Sequence, residues 1–151
     1  MIDFVDHVNL VVDDLDRMAS FYRDLLGMRV TKQATIRGPW IEAVTGLKNV
    51  EADVMYLAPE TGPGIELIRY RSPDGTRPAL LDRPNTKGIR HIAFRVRDLE
   101  SLAESARKAE ITMFSDVQRV AADQVDYGQQ RKRMFYCLDP EGNLLELMTL
   151  D

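Results

Sequence analysis

The sequence predicts an α+β chain made of two tandem βαβββ units, and three observations carry that prediction. The phrase His7-Val8-Asn9-Leu10-Val11-Val12-Asp13-Asp14-Leu15 returns as His91-Ile92-Ala93-Phe94-Arg95-Val96-Arg97-Asp98-Leu99, an offset of 84 (91 − 7). A second phrase, Gly64-Ile65-Glu66-Leu67-Ile68, returns as Leu144-Leu145-Glu146-Leu147-Met148, an offset of 80 (146 − 66). Between these phrases, each half passes from strand-like alternation to helical spacing and back to alternation. Self-similarity of this kind marks a duplicated supersecondary unit.

Residues 4–12 alternate, with apolar side chains at 8, 10 and 12, and predict a half-buried strand. Asp13 or Asp14 can cap a helix running to about Leu26, because a short carboxylate accepts from the unpaired N–H groups of a first turn. Leu15, Met18, Phe21, Tyr22, Leu25 and Leu26 fall at helical spacing, and Gly27 is placed to end the helix. Residues 29–36 predict a strand. Gly38-Pro39 breaks the pattern, and 40–49 reads as a loop or short helix. Strands follow at 50–58 and 64–70, joined by the turn from Pro59 to Gly64. The second half repeats the order: strand 89–97, helix 98–109, and strands near 111–119, 132–138 and 144–150. Asp139-Pro140-Glu141-Gly142-Asn143 is a turn by composition. The first unit is thus expected over 1–72 and the second over 88–151. Between them, 73–87 reads as a linker carrying Pro73, Asp74, Gly75, Pro78, Pro84 and Asn85.

The 151 residues are 44% hydrophobic and 29% charged, enough for a core without covalent staples. A net charge of −4 and a pI near 5.2 argue against nucleic acid as a partner. No stretch approaches the roughly 18 apolar residues of a membrane span, and the start MIDFVDHVNL lacks the pattern of a secretory signal. The single cysteine, Cys137, permits no internal disulfide, which fits a reducing, cytoplasmic setting. Lying in the apolar run MFYCL, it reads as a buried small hydrophobe and not as a nucleophile.

The chain has two histidines, His7 and His91, and both occupy one position of the repeat. A lone histidine on a strand is ordinarily a satisfied structural residue; two in register are not explained that way. Glu66 lies among Ile65, Leu67 and Ile68, and Glu146 among Leu144, Leu145, Leu147 and Met148. A carboxylate in an apolar strand is costly to bury unless it is paired or bound to metal, the plain alternative being an edge strand with one wet face. Two imidazoles and two carboxylates suit one divalent cation, Zn, Ni, Co, Mn or Fe, with water completing the shell.

With those residues in view, the chain resembles the vicinal oxygen chelate superfamily, which includes glyoxalase I, methylmalonyl-CoA epimerase, extradiol dioxygenases and bleomycin-resistance proteins. The resemblance covers nearly the whole chain. It is carried by HVNLVVDDLDRMASFYRDLLGM (7–28), GIELI (64–68), GIRHIAF (88–94) and DPEGNLLEL (139–147). It implies curled mixed sheets forming a metal-binding cup, with His7, Glu66, His91 and Glu146 on the ligand positions and a homodimer as the common assembly. Extradiol dioxygenases and related thiol transferases usually use three ligands and lack the carboxylate that Glu66 supplies here. The resemblance is therefore nearer to the glyoxalase I and epimerase branches. Glyoxalase I follows that glutamate with a Thr-x-Asn-Trp-like stretch, whereas this chain reads Leu67-Ile68-Arg69-Tyr70-Arg71-Ser72-Pro73. ELIRYRSPDG is more similar to the epimerase phrase ELL-x-P-x-S-x-D, and GIRHIAF to GIHHIAF. DPEGN is generic to the superfamily and the insert Arg37 to Asn49 is untypical of those epimerases, so a sugar-phosphate or cyclitol epimerase stays open.

The resemblance implies a divalent-metal-dependent isomerase, epimerase or lyase that moves a proton alpha to a carbonyl of a small-molecule substrate. Glu146 is the candidate to carry the proton by partly leaving the metal, as ligand carboxylates do in the glyoxalase branch. Glu42, in the insert with Trp40, is the candidate for a separate base, ahead of Glu51 and Asp53; each of these acids is also the kind of residue that simply faces water. Trp40 and Tyr70 are candidates to pack on substrate or to fill core. Arg69, Arg71, Arg131, Lys132 and Arg133 are candidates to grip a phosphate or carboxylate, although a run such as 131–133 is ordinarily a solvated face. The rival readings are an extradiol-type dioxygenase using Fe(II) or Mn(II), and a non-catalytic binding protein of the resistance class, which generally lacks the full ligand set.

Overall fold

Short carboxylates start both long helices. In a computed structural model describing residues 1–151, Asp14 accepts from the Arg17 N–H at 3.0 Å and Asp98 from the Ser101 N–H at 2.9 Å. Each occupies the N-cap, where an extended residue satisfies an otherwise unpaired donor of the first turn. The chain divides into two compact units, Met1–Arg77 and Pro78–Asp151. The stretch 73–87 contains no helix or strand.

The first unit runs β1 (His7–Val11), α1 (Leu15–Asp24), β2 (Arg29–Arg37), α2 (Pro39–Thr45), β3 (Glu51–Ala58) and β4 (Gly64–Ser72). Its sheet has the order β1-β4-β3-β2, with β1 parallel to β4 and the other pairs antiparallel. α1 buries Met18, Ala19, Phe21 and Tyr22. It packs on β3 and β4, whose Leu57, Ile65 and Leu67 are almost fully buried. Gly27, at φ 68°, adopts the left-handed backbone that ends the helix, and its N–H reaches Arg23 O at 3.0 Å. Gly38-Pro39 does not merely break the chain. Pro39 opens α2, where its fixed φ and missing N–H cost nothing. A side chain at Gly64 would place its Cβ 2.9 Å from Leu57 O, so this strand start accepts only glycine without a backbone shift.

The second unit repeats the plan with β5 (His91–Arg95), α3 (Leu99–Lys108), β6 (Gln118–Arg119), β7 (Lys132–Leu138) and β8 (Leu144–Leu150), in the order β5-β8-β7-β6. Again the first strand is parallel to the last. Leu99, Ala103 and Ala106 of α3 are buried, as are Leu145 and Leu147 of β8 and Phe135 of β7. Both sheets are mixed and open. Together they give the α+β fold of paired βαβββ units that the repeat predicts, and no helix is long and apolar enough to cross a membrane.

Several bounds differ from the sequence pattern. β1 and β5 are shorter than 4–12 and 89–97, because each pairs over five residues with one neighbour only. The strand expected over 111–119 is reduced to Gln118–Arg119 and an isolated bridge between Met113 and Cys137. The cause is local. Thr112 O and the Phe114 N–H bond to β7, but the chain then bends at Ser115-Asp116, where Ser115 Oγ donates to Asp116 O and Arg107 pairs with Asp116.

Cys137 is fully buried, and burial, aided by the charge of Asp139, pushes its thiol up to about 12. The native state therefore holds this proton more tightly than the unfolded chain, whose thiol has an ordinary value of 9.0. The resulting stabilisation is complete below the unfolded value and is lost as the pH rises towards the native one. Native protein at pH 8 is expected to resist thiol-specific alkylation and to react with one equivalent of reagent after denaturation. Rapid labelling of the native state would contradict this placement.

Candidate metal centre

The sheet register brings together one imidazole and one carboxylate in each unit. In the first, β1 lies parallel to β4 with Asn9 opposite Glu66 and His7 two residues earlier on the same face. On the other side of β4, Tyr56 of β3 lies directly across from Glu66, and Lys32 of β2 across from Tyr56. His7 Nε2 is 3.4 Å from Glu66 Oε2. Asp6 Oδ2 lies 2.7 Å from His7 Nδ1, a contact that orients the ring with its other nitrogen towards Glu66. Asn9 Nδ2 donates to Glu66 Oε2 at 2.8 Å. Tyr56 also hydrogen-bonds Glu66; that bond, with burial and the neighbouring carboxylate charges, raises the phenol to about 12. The Tyr56 ring meets His7 edge-on at 5.8 Å. Ala52, Val54 and Ile68 form an apolar cluster beside this pair, with Ile36, Tyr56 and Tyr70 packed against it.

The second unit holds the same pair in altered surroundings. His91 Nε2 is 3.4 Å from Glu146 Oε2. Tyr136 lies across the sheet from Glu146, and its ring is 5.4 Å from that of His91. Burial first, and the Glu146 charge second, raise the Tyr136 phenol. The residue paired with Glu146 on the first strand is Ala93, where the first unit has Asn9. The residue before the histidine is Arg90 in place of Asp6. Glu146 instead receives Lys132, whose Nζ lies 2.5 Å from Oε1. Burial works to lower the Lys132 ammonium. It is outweighed by the hydrogen bond and charge of Glu146, with Tyr127 adding to them, so the net shift is upward.

The donor chemistry suits a divalent ion. Two donors each about 2.1 Å from one cation lie ~3.0 to ~3.4 Å apart for right-angle to tetrahedral arrangements. Both histidine–glutamate pairs have that spacing. It is longer than a good N–H···O hydrogen bond. No group of three or more His, Cys, Asp or Glu side chains is gathered in a metal-holding arrangement.

The remaining candidates are distributed elsewhere. Glu42 is on α2, and its Oε1 accepts from the Asn49 N–H at 2.9 Å. Arg71 pairs with Asp53 at 2.7 Å and Glu51 at 3.1 Å. Strand alternation puts Asp53, Arg69 and Arg71 on the opposite face from Tyr56 and Glu66. Trp40 is more than half exposed on α2 (57%). The run Arg131-Lys132-Arg133 splits: Arg133 joins Glu100 and Asp151, while Lys132 turns to Glu146. Sequence reasoning passed over Tyr56 and Tyr136, although they recur at the same offset of 80 (136 − 56) as the glutamates. It also passed over Asn9 and the particular place of Lys132.

Tandem βαβββ units, each presenting a histidine from its first strand and a glutamate from its last, define a class of small duplicated α+β proteins with imidazole–carboxylate pairs. The chain belongs to the Glyoxalase/Bleomycin resistance protein/Dioxygenase superfamily, whose profile matches residues 4–147. It is similar to 2-epi-5-epi-valiolone epimerase of Actinomyces sp, with 27% identity over 97% of this chain and 79% of that protein. It is also similar to the mitochondrial methylmalonyl-CoA epimerase of Mus musculus, with 24% identity over 78% of this chain; the match spans 60% of the mouse protein. Among solved structures, a glyoxalase family protein from Bacillus cereus shares the fold with a TM-score of 0.84 at 24% identity, covering 99% of this chain and 95% of the other.

Proposed function

We propose that the protein is a divalent-metal-dependent isomerase or epimerase, or a lyase of the same chemistry, moving a proton alpha to a carbonyl of a small oxygenated metabolite. The observation that carries this reading is the repeated histidine–glutamate pair at 3.4 Å. Similarity to two epimerases supports the reaction class. In this reading His7, Glu66, His91 and Glu146 are the metal ligands, and the ion is Zn, Ni, Co, Mn or Fe. A cytoplasmic setting and a homodimeric state belong to the same proposal.

When bound, the ion supplies a Lewis acid for negative charge on a carbonyl oxygen. The rest falls to the chain. Asp6 orients the His7 ring, with Nε2 towards Glu66. Asn9 and Tyr56 fix Glu66 through neutral hydrogen bonds. Glu146 accepts the proton from the substrate carbon at a carboxylate oxygen; its return to the same face only exchanges that proton with solvent, and the carbon is epimerised when a proton is delivered to the opposite face. Glu42, held by the Asn49 N–H, is the alternative proton carrier.

Metal analysis of the purified protein tests the reading. A stoichiometric divalent ion is expected, with most of it lost in His91→Ala, because a missing ligand lowers affinity steeply. Native protein that neither contains nor binds a divalent metal would sink it. Deuterium uptake from solvent into methylmalonyl-CoA and into 2-epi-5-epi-valiolone, the compounds named by the two relatives, then probes the substrate class.

A further inference from the structure

The two histidine–glutamate pairs match in spacing but not in what holds the carboxylate. Glu66 receives only neutral donors, from Asn9 and Tyr56. Glu146 receives a full positive charge from Lys132 and has no Asn9 counterpart, because Ala93 stands there. The contact is not a loose surface pair. The Glu146 side chain is 7% exposed and that of Lys132 16%. The ammonium is also braced by Tyr127, whose ring is 5.9 Å away. Lys132 stands on β7, four residues before Tyr136, so strand alternation places it on the face that bears Glu146. The two oxygens of the carboxylate are divided: Oε2 faces His91 and Oε1 is held by Lys132.

The geometry points to Lys132 as a positioning residue that keeps Glu146 Oε1 engaged, so that Oε2 is the oxygen a cation would find open, and that balances the charge of the carboxylate. This rests on the metal reading above and deepens it, because it assigns unequal tasks to the two glutamates. Glu66 is the permanent ligand. Glu146 is the releasable one, and a carboxylate that can leave a cation without becoming an unpaired buried charge is free to carry a proton. A lysine beside a dication's site also opposes the dication, so the arrangement has a measurable signature in metal affinity.

That signature is read in the metal-stripped full-length protein by competition for Co(II) or Zn(II) against a chromophoric chelator. Lys132→Met is expected to bind the ion about tenfold more tightly than the parent, since one nearby positive charge is removed from a poorly solvated site. Its metal-free form should melt at a lower temperature, and added metal should raise that temperature by more than it does in the parent. Lys132→Arg, which keeps the charge, should stay within about twofold of the parent's affinity. A lysine with a merely structural role predicts the opposite sign, because loosening the strand would weaken binding. Unchanged or weaker affinity in Lys132→Met therefore overturns the inference. If that variant does not fold, Lys132→Gln is measured in its place with the same two readings. A parent protein that binds no divalent ion overturns the metal reading and this inference together, whereas a parent that binds and a Lys132→Met that does not tighten overturns this inference alone.

Discussion

Glu146→Gln is expected to cut solvent deuterium exchange into a turned-over substrate by about 10³-fold or more, because a general base typically contributes 10²–10⁴-fold and the amide cannot accept the proton. The variant keeps the shape of the side chain but takes the carboxylate from Lys132, so its melting temperature is measured beside the exchange rate, and the loss should exceed what any loss of folded protein accounts for. Glu66→Gln is the comparison. Glu66 is fixed by Asn9 and Tyr56, so its loss should weaken metal binding yet leave most of the exchange rate when metal is saturating. Equal losses in both variants at saturating metal would contradict unequal roles for the two carboxylates. A fully active Glu146→Gln would move the proton-carrying role to Glu42.

Asp139→Ala is expected to be strongly destabilising although the residue lies outside the apolar core. Asp139 is 4% exposed and closes the turn that delivers β8, and with it Glu146. Its Oδ1 accepts from the Glu141 N–H at 3.0 Å and the Asn143 N–H at 2.9 Å, and its Oδ2 from Asn143 Nδ2 at 2.7 Å. Alanine leaves these donors without an acceptor in a partly buried turn. The expected cost is about 2–4 kcal/mol, or ~5–15 °C in melting temperature for a chain of this size. Asp139→Asn retains one acceptor oxygen and should fall between the two. A melting temperature unchanged in Asp139→Ala would show that the turn is held by backbone bonds alone, such as that from the Asp139 N–H to Asn143 O.

Much of the scaffold was legible because its signals are local and repeated. Asp14 and Asp98 announce their helices through side-chain chemistry that acts over three residues. His7 with His91 and Glu66 with Glu146 stand out because each pair recurs at one position of the repeat. What stayed hidden depends on register. Nothing in Arg131-Lys132-Arg133 distinguishes the middle residue as the one turned inward. That follows only from the pairing of Lys132 with Leu150 and Tyr136 with Glu146, a register set by the turn between β7 and β8. Asn9 is similarly silent until the parallel pairing of β1 with β4 places it opposite Glu66. The tyrosines are a different case. Their shared offset with the glutamates was present in the sequence, but an aromatic residue in an apolar strand suggests core before it suggests a hydrogen-bond donor. Strand 111–119 was over-extended because alternation does not report the bend at Ser115-Asp116.

The row formed by β1, β4 and β3 has an implication for protein construction. Its histidine–glutamate–tyrosine set depends on one parallel pairing, one antiparallel pairing and a two-residue stagger between the histidine and the position facing the glutamate. The second unit reproduces that set while changing the residue before the histidine, the partner of the glutamate and the length of the loops. The three residue types therefore hold their register positions while their surroundings change. A designer who lays the same three strands side by side in another sheet would inherit the histidine–glutamate pair, and could then set its charge independently by choosing what stands where Asn9 or Lys132 stands here.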